Sequence, residues 1–171
     1  IDSNDQAPIG YNPVPEMTFS LAAGLNWKGI DFSILLQGAA RSSIYLQQDI
    51  AWDNFWGNYY EEHIGRWTPE TAATATYPRF TKAATAAHPN YYKSDYWLKD
   101  SKYLRLKNIQ LGYTIPRKLL KKFGVRSLRV YANAYNLFTW DNVKKVDPES
   151  SNNSNGQFYP QQKVINFGIN L

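Results

Sequence analysis

The segment from Met17 to Trp27 alternates strictly between two kinds of side chain over eleven residues. Apolar residues, most of them large, take the odd positions, and small or polar residues take the even ones. A period of two predicts a β-strand with one apolar face. Eleven residues is also about the length with which a tilted strand crosses a bilayer. The chain is therefore expected to build a sheet whose apolar face is covered by a protein core or by lipid.

Two further segments extend this pattern into a hairpin and a third strand. Lys28-Gly29 is a two-residue turn, and the alternation resumes from Ile30 to Leu36. Residues 103–115 form a third amphipathic strand. Its phase slips near Lys107-Asn108, which predicts a β-bulge.

The remaining elements give the order of the connections. Residues 116–124 (PRKLLKKFG) predict a short helix with Pro at its first position and Gly just past its end. Strands are expected at 128–135 and 163–171, and loops at 41–102 and 139–162. Short and long connections thus alternate, as in outer-membrane barrels with short periplasmic turns and long extracellular loops. Five strands with two open edges cannot stand alone in lipid, so the chain is either an all-β antiparallel segment of a larger transmembrane barrel or a set of strands that pack into a soluble sandwich.

Aromatic residues make up 16% of the chain, including 13 Tyr and 6 Trp. Amphipathic rings are typical of membrane interfaces and of ligand-binding surfaces. Rings on or near strand ends are interpreted as an interface girdle at headgroup level: Trp27, Tyr113, Phe138, Trp140 and Phe167. Rings in the long loop are candidates for contact with a partner or a sugar substrate, the alternative being that they pack the loop onto itself: Trp52, Trp56, Tyr59, Tyr60 and Trp67.

The net charge of +5 lies in one short segment. Outside residues 116–126 the chain has 14 basic and 14 acidic residues, and inside it has no acid. A nucleic-acid binder would more often interleave its cations with aromatics, so no nucleic-acid partner is predicted. The segment is interpreted as a solvated periplasmic turn, or as a turn whose cations face anionic headgroups. Its basic residues are Arg117, Lys118, Lys121, Lys122 and Arg126.

Catalytic and metal-binding signals are weak. His63 and His88 are the only histidines, and neither has a metal-ligand partner at useful spacing. Nucleophile-elbow, phosphate-loop and HExxH motifs do not occur, so no catalytic residue and no enzymatic function are predicted. There is no cysteine. A weak candidate for a calcium site is the opening segment, where oxygen ligands alternate as in calcium loops: Asp2, Asn4 and Asp5. No other cofactor is predicted.

Several segments resemble the SusC/RagA-type TonB-dependent transporters of Bacteroidota outer membranes. The most specific is WLKDSKYLRLKNIQLGYTIPRKLLKKFGVRSLRVYANAYNLFTW, which is similar to the family's penultimate hairpin. IDSND and IGYNPVPEMTFSLAAGLNWKGIDFSILLQG resemble the preceding hairpin, RWTPE a piece of a long extracellular loop, and DPE a piece of the last loop. The resemblance covers almost the whole chain.

The resemblance implies that residues 1–171 are the carboxy-terminal fragment of the barrel, its last five strands. In such a barrel the residues expected to face lipid include Phe19, Leu21, Leu25, Ile30, Phe32, Ile34, Ile109, Leu111 and Ile169. The residues expected to face the lumen include Thr18, Ser20, Asn26, Asp31, Ser33, Gln37, Gln110 and Thr114. The parent would lie in the bacterial outer membrane and import glycan fragments or peptides, energised through TonB. A SusD-type lipoprotein would cover its extracellular loops. Two features depart from the family: the plug domain and the TonB-contacting box are missing, and no aromatic residue follows Leu171.

Two other functions are compatible with the alternation. A secreted or surface β-sandwich could bury the apolar faces against each other and bind carbohydrate through the loop aromatics. A passive porin would use the same strands without TonB coupling. Solubility without detergent would distinguish the sandwich, and a plug encoded upstream would distinguish the porin.

Overall fold

The computed structural model describes residues 3–82, 87–150, 159 and 161–171. These residues divide into two compact units. The loop unit consists of Ile1–Val14, Arg41–Ser101 and Val143–Tyr159, and the sheet unit consists of Pro15–Ala40, Lys102–Asn142 and Pro160–Leu171. The long segment between the second and third predicted strands is thus a folded unit with its own core.

The sheet unit contains a five-stranded antiparallel sheet, called the main sheet, in which the strands lie side by side in the order in which they follow along the chain. Two short strands of the loop unit, Ser43–Tyr45 and Leu98–Asp100, lie along the chain between the second and third strands of the main sheet. The strands of the main sheet are β1 Met17–Trp27, β2 Ile30–Ala40, β5 Tyr103–Thr114, β6 Arg129–Asp141 and β7 Val164–Asn170. The predicted all-β antiparallel architecture is confirmed.

Local chemistry explains the two short connections. Lys28 (φ 47°) and Gly29 (φ 88°) both take positive φ, as a tight hairpin turn requires. The second connection contains helix α1, Arg117–Leu120, followed by a 3-10 turn at Lys121–Phe123. Gly124 (φ 69°) ends it in the left-handed conformation, as the Pro–Gly spacing predicts.

A bulge crosses the main sheet at the position where the sequence changes phase. Leu35 pairs with Asn108 and Leu36 with Leu106, which leaves Lys107 as the extra residue of β5. On the other side Asn108 pairs with Tyr135 and Leu106 with Phe138. The bulge predicted near Lys107 is therefore confirmed.

Two strands are longer than the pattern predicts. β2 continues through the small residues 38–40, and β6 continues to Asp141, so the predicted loop at 139–162 begins too early. In β6 the alternation is interrupted because Asn136, at φ 51°, and Leu137 fill the bulge opposite Lys107. Beyond the bulge, Thr139 and Trp140 return to the ladder and pair with β5.

The loop unit has little regular structure and an aromatic core. Its strands β3 Ser43–Tyr45 and β4 Leu98–Asp100 form a small antiparallel pair. Short 3-10 turns lie at Gln48–Ile50, Glu61–Gly65 and Pro89–Tyr91. The fully buried members of its core are Ile44, Leu46, Ala51, Trp52, Tyr77, Tyr91, Trp97 and Val143.

Candidate functional site: the two faces of the main sheet and the loop aromatics

One face of the main sheet carries large apolar side chains that remain exposed. The strand register aligns them in cross-strand rows, and Leu25, Leu111 and Phe167 are 62%, 55% and 82% exposed. Each such side chain left in water would forgo roughly 1.5–3 kcal/mol of transfer free energy, so this face needs an apolar cover. The predicted lipid-facing residues all lie on it: Phe19, Leu21, Leu25, Ile30, Phe32, Ile34, Ile109, Leu111 and Ile169.

The opposite face of the main sheet is polar. All the residues predicted to face the lumen lie on it: Thr18, Ser20, Asn26, Asp31, Ser33, Gln37, Gln110 and Thr114. Asn166 Nδ2 donates to Asn133 Oδ1 at 3.0 Å, and buried Arg105 donates from Nε to Thr139 Oγ1 at 3.0 Å. A polar interior behind an apolar outer surface is the arrangement of a transmembrane barrel wall.

An ion pair crosses β5 on this polar face. Arg129 of β6 donates from Nε to Asp31 Oδ2 at 2.9 Å and from Nη2 to Asp31 Oδ1 at 2.5 Å. Gly112 pairs directly with Asp31, whereas Arg129 lies opposite Thr114, so the ion pair runs diagonally across β5. A Cβ on Gly112 would collide with the side chains of both Asp31 and Arg129. Because Gly112 has no Cβ, Arg129 and Asp31 can form a bidentate ion pair across the full width of β5.

The five girdle candidates lie on the apolar face and are at least 40% exposed. Trp27 and Tyr113 share the last row at the short-turn end, where Lys28 Nζ lies 4.8 Å from the Trp27 ring centroid. Phe138 and Trp140 lie toward the opposite end with their rings stacked at 6.2 Å. Phe167 lies one row inward of the Trp27 row. Their headgroup contact stays a prediction.

The loop unit is held by a buried hydrogen-bond network around Asp53. Asp53 is 1% exposed and accepts from the hydroxyls of Tyr91 and Tyr77 and from the Thr81 amide at 3.1 Å. Burial raises the pKa of Tyr77 and Tyr91, so both hydroxyls stay protonated and can donate. Trp52 packs against Tyr91 with ring centroids 4.7 Å apart. No local pattern in the sequence marks this network, because its members lie up to 38 residues apart.

The predicted contact aromatics of the loop separate into buried and exposed rings. Trp52 is 2% exposed and belongs to the core, so it offers no surface and is corrected to a packing residue. Trp56 is 85% exposed, and Tyr59, Tyr60 and Trp67 are 56%, 40% and 38% exposed. These four keep an accessible ring within the loop unit.

A cleft of about 510 Å³ is lined by one of these rings, that of Tyr60, together with residues that the sequence did not single out as contacts. Ile50, Tyr60, Glu61, Glu62 and Lys145 line it. Lys145 forms an ion pair with Glu62, and burial lowers the pKa of its amine to about 8. Lys145 lies 83 residues from Glu62 along the chain, so no spacing signal could have joined them.

The two histidines have structural roles. His63 is 2% exposed; its Nδ1 accepts from the Tyr60 amide at 3.0 Å, and its Nε2 lies 3.2 Å from the Ala51 carbonyl oxygen. His88 Nδ1 accepts from the Asn90 amide at 3.2 Å. Neither imidazole lies in a group of three or more possible metal ligands within the part of the chain that the structure describes.

The calcium candidates are only partly described. Asp2 lies outside the described residues, and Asn4 and Asp5 lie in a 3-10 turn at Ser3–Asp5. Calcium binding stays a prediction, to be tested by titrating the longer protein with calcium. None of the helices in the described ranges is long and apolar enough to span a membrane.

The chain is similar to curated TonB-dependent receptors. It is 29% identical to TonB-dependent receptor P26 of Formosa agariphila over 188 residues, which cover all of this chain and 18% of that protein. It is 26% identical to TonB-dependent receptor SusC of Bacteroides thetaiotaomicron, covering all of this chain and 16% of SusC. The chain therefore spans less than a fifth of the length of these relatives. No family model matches it.

Solved structures show the same fold. The RagAB peptide importer in its closed-closed state superposes with a TM-score of 0.73 at 22% identity, over 99% of this chain and 18% of that chain. The open-open state gives a TM-score of 0.71 at 21% identity.

The apolar outer face, the polar inner face and this similarity define the class: the main sheet is a segment of an antiparallel transmembrane β-barrel of the outer membrane. The chain is similar to the SusC/RagA-type TonB-dependent receptors, in agreement with the resemblance in its sequence. Its relatives are named as receptors, which agrees with the expectation that it is not an enzyme.

Proposed function

We propose that this chain is the carboxy-terminal part of the barrel of an active transporter that imports glycan fragments or peptides across the outer membrane. The observation that carries the proposal is the main sheet itself, with an exposed apolar outer face and a paired polar inner face. TonB-dependent receptors match this sheet and the loop unit along the whole chain. Import energised through TonB then depends on a plug and a TonB-contacting segment elsewhere in the complete receptor.

The orientation follows from the lengths of the connections. The hairpin turn at Lys28-Gly29 and the turn containing α1 are short, whereas the loop unit is built from the long connections. Barrels of the outer membrane keep short turns in the periplasm and long loops outside. The loop unit is thus the extracellular part, where a SusD-type lipoprotein would dock.

The names of the similar proteins do not define one substrate class, so the substrate class needs a direct test. RagAB is named as a peptide importer, and SusC carries only the receptor name. Cells that carry the complete receptor are offered labelled oligosaccharides and labelled peptides in parallel, with and without collapse of the proton-motive force. Energy-dependent uptake of one class assigns the substrate. Uptake that survives the collapse would support a passive porin instead.

The four exposed loop aromatics are the proposed contacts with the lipoprotein or the substrate. Flat rings supply contact area at low entropic cost and can stack on sugars. In the complete receptor, the double variant Trp56→Ala, Tyr60→Ala is expected to lower lipoprotein pull-down or substrate uptake at least several-fold. Tyr92→Ala, which removes another ring of the loop unit that is 40% exposed, is the matched control. Unchanged pull-down and uptake in the double variant would refute this assignment.

A carbohydrate-binding β-sandwich is not favoured by the structure. A sandwich needs the apolar faces of two sheets to bury each other. The apolar face of the main sheet instead remains exposed, with Leu21, Leu25 and Ile169 at 62%, 62% and 68%.

A further inference from the structure

The turn that joins β5 to β6, residues 116–126, combines strong positive charge with exposed apolar side chains. It contains five basic residues and no acid. Leu119 is 64% exposed and Phe123 is 78% exposed, whereas Leu120 is 5% exposed and anchors the turn. In water, two large exposed apolar side chains among the cations would be unfavourably hydrated. A lipid surface can hold the apolar side chains among its acyl chains and the cations at its headgroups.

The backbone of this turn is held in place. Ile115 donates to the Leu128 carbonyl oxygen at 2.9 Å and closes the hairpin, and Arg117 Nε donates to the Arg126 carbonyl oxygen at 3.3 Å. Gly124, at φ 69°, reverses the chain after Phe123. Leu119 and Phe123 are therefore presented by a defined loop at the end of the main sheet.

The turn is continuous with the lipid-facing surface of the main sheet. Tyr113 and Val130, three residues before Pro116 and four after Arg126, pair in the last apolar row, together with Trp27 and Ile30. Lys28 stacks on Trp27 in this row and adds another cation at the same end. Asp31, an acidic residue of β2 near this end, is already paired with Arg129.

We propose that the 116–126 turn docks on an anionic phospholipid surface, the periplasmic leaflet, with Leu119 and Phe123 inserted among the acyl chains and the flanking cations on headgroup phosphates. Charge complementarity and continuity with the apolar face both identify lipid as the occupant. The proposal rests on the barrel assignment and on the periplasmic placement of the short turns.

Spin labels test the insertion directly. The chain has no cysteine, so single labels at Phe123→Cys and Leu119→Cys can be read in the complete receptor, with any other cysteines replaced, in vesicles containing phosphatidylglycerol. Collision with oxygen reports lipid, and collision with a polar nickel chelate reports water. Leu25→Cys on the apolar face is the lipid reference, and Lys118→Cys is the polar reference within the turn.

We expect the labels at 119 and 123 to collide with oxygen as the label at 25 does. Collision with the nickel chelate would mean a solvated turn. Collision with neither would mean that a protein segment, such as a plug, covers the turn, and either result overturns the proposal. A label at 25 that does not reach lipid would instead refute the barrel assignment, so the two failures are distinguishable.

Lipid selectivity tests the role of the cations. Lys121→Gln, Lys122→Gln is expected to reduce the preference for spin-labelled phosphatidylglycerol over phosphatidylcholine by up to roughly fivefold per cation. The matched control is Lys82→Gln, Lys93→Gln, which removes the same charge from the loop unit. Equal selectivity in the two double variants would contradict the headgroup contact.

Discussion

At the scale of single residues, the absence of a Cβ at Gly112 leaves space for an ion pair in the main sheet. The position of Gly112 next to the side chains of Asp31 and Arg129 lets the ion pair cross β5 on the polar face, where both side chains are about a quarter exposed. The pair connects residues that are 98 positions apart and that lie on strands not bonded to each other. It therefore links β2 to β6 without any backbone hydrogen bond between them.

Gly112→Ala is expected to destabilise the complete receptor by about 1–3 kcal/mol, because the added methyl group displaces both partners of the ion pair. The measurement is the temperature at which the folded, faster-migrating band is lost in semi-native electrophoresis. Gly24→Ala is the matched control on the same face, since its methyl group would meet only the Phe32 carbonyl oxygen at 3.4 Å. Equal shifts in the two variants would contradict the role assigned to Gly112.

The amine of Lys145, in the cleft of the loop unit, should be deprotonated and reactive at a lower pH than that of an ordinary lysine. Burial lowers its pKa to about 8, so a substantial fraction is uncharged at pH 8, whereas an ordinary lysine there is almost fully protonated. Competitive acetylation followed by mass spectrometry is expected to give Lys145 a midpoint near pH 8. Glu62→Gln should move that midpoint lower, since the neighbouring carboxylate favours the charged amine. A midpoint above pH 10 would contradict the effect of burial.

At the scale of elements, the alternation predicted the strands where nothing interrupts it and failed where a bulge does. β1 was predicted from end to end because its eleven residues alternate without a break. The end of β6 was missed because Asn136 and Leu137 sit opposite the bulge at Lys107, and pairing resumes only at Phe138. The fold of the loop unit could not be predicted from local patterns. Trp52 is buried and Trp56 is exposed, and this difference depends on core residues that lie far from both in the sequence.

The buried hydrogen bonds to Asp53 are expected to stabilise the fold of the loop unit, and the variant Tyr91→Phe tests this role. Losing the Tyr91 hydroxyl leaves Asp53 buried with one strong donor fewer, which should cost about 1–3 kcal/mol of local stability. We expect faster limited proteolysis within residues 41–101 of the complete receptor. Tyr92→Phe, which alters the adjacent exposed tyrosine, is the control. Identical cleavage rates in both variants would show that the network does not hold the unit closed.

At the scale of the whole molecule, the charges and apolar areas of this chain are segregated. Apolar side chains face outward from the main sheet, paired polar side chains face inward, and the surplus positive charge lies in one turn. A negative mean hydropathy of -0.53 is compatible with this arrangement, because half of each strand faces a polar lumen. Hydropathy averaged along the chain therefore conceals the membrane-facing surface that the strand register reveals.

Membrane fractionation of the source cells tests the assignment of this chain to a large barrel. An antibody raised against it is expected to detect an outer-membrane band several times larger than the chain's own 19.7 kDa, because the chain matches less than a fifth of its relatives. That band should shift on boiling, since a closed barrel resists dodecyl sulfate until heated and then unfolds. Extraction with carbonate should leave it in the membrane, because the apolar face is held by lipid. A soluble band near the chain's own mass would contradict the barrel assignment, and with it the import function and the docking of the basic turn on lipid.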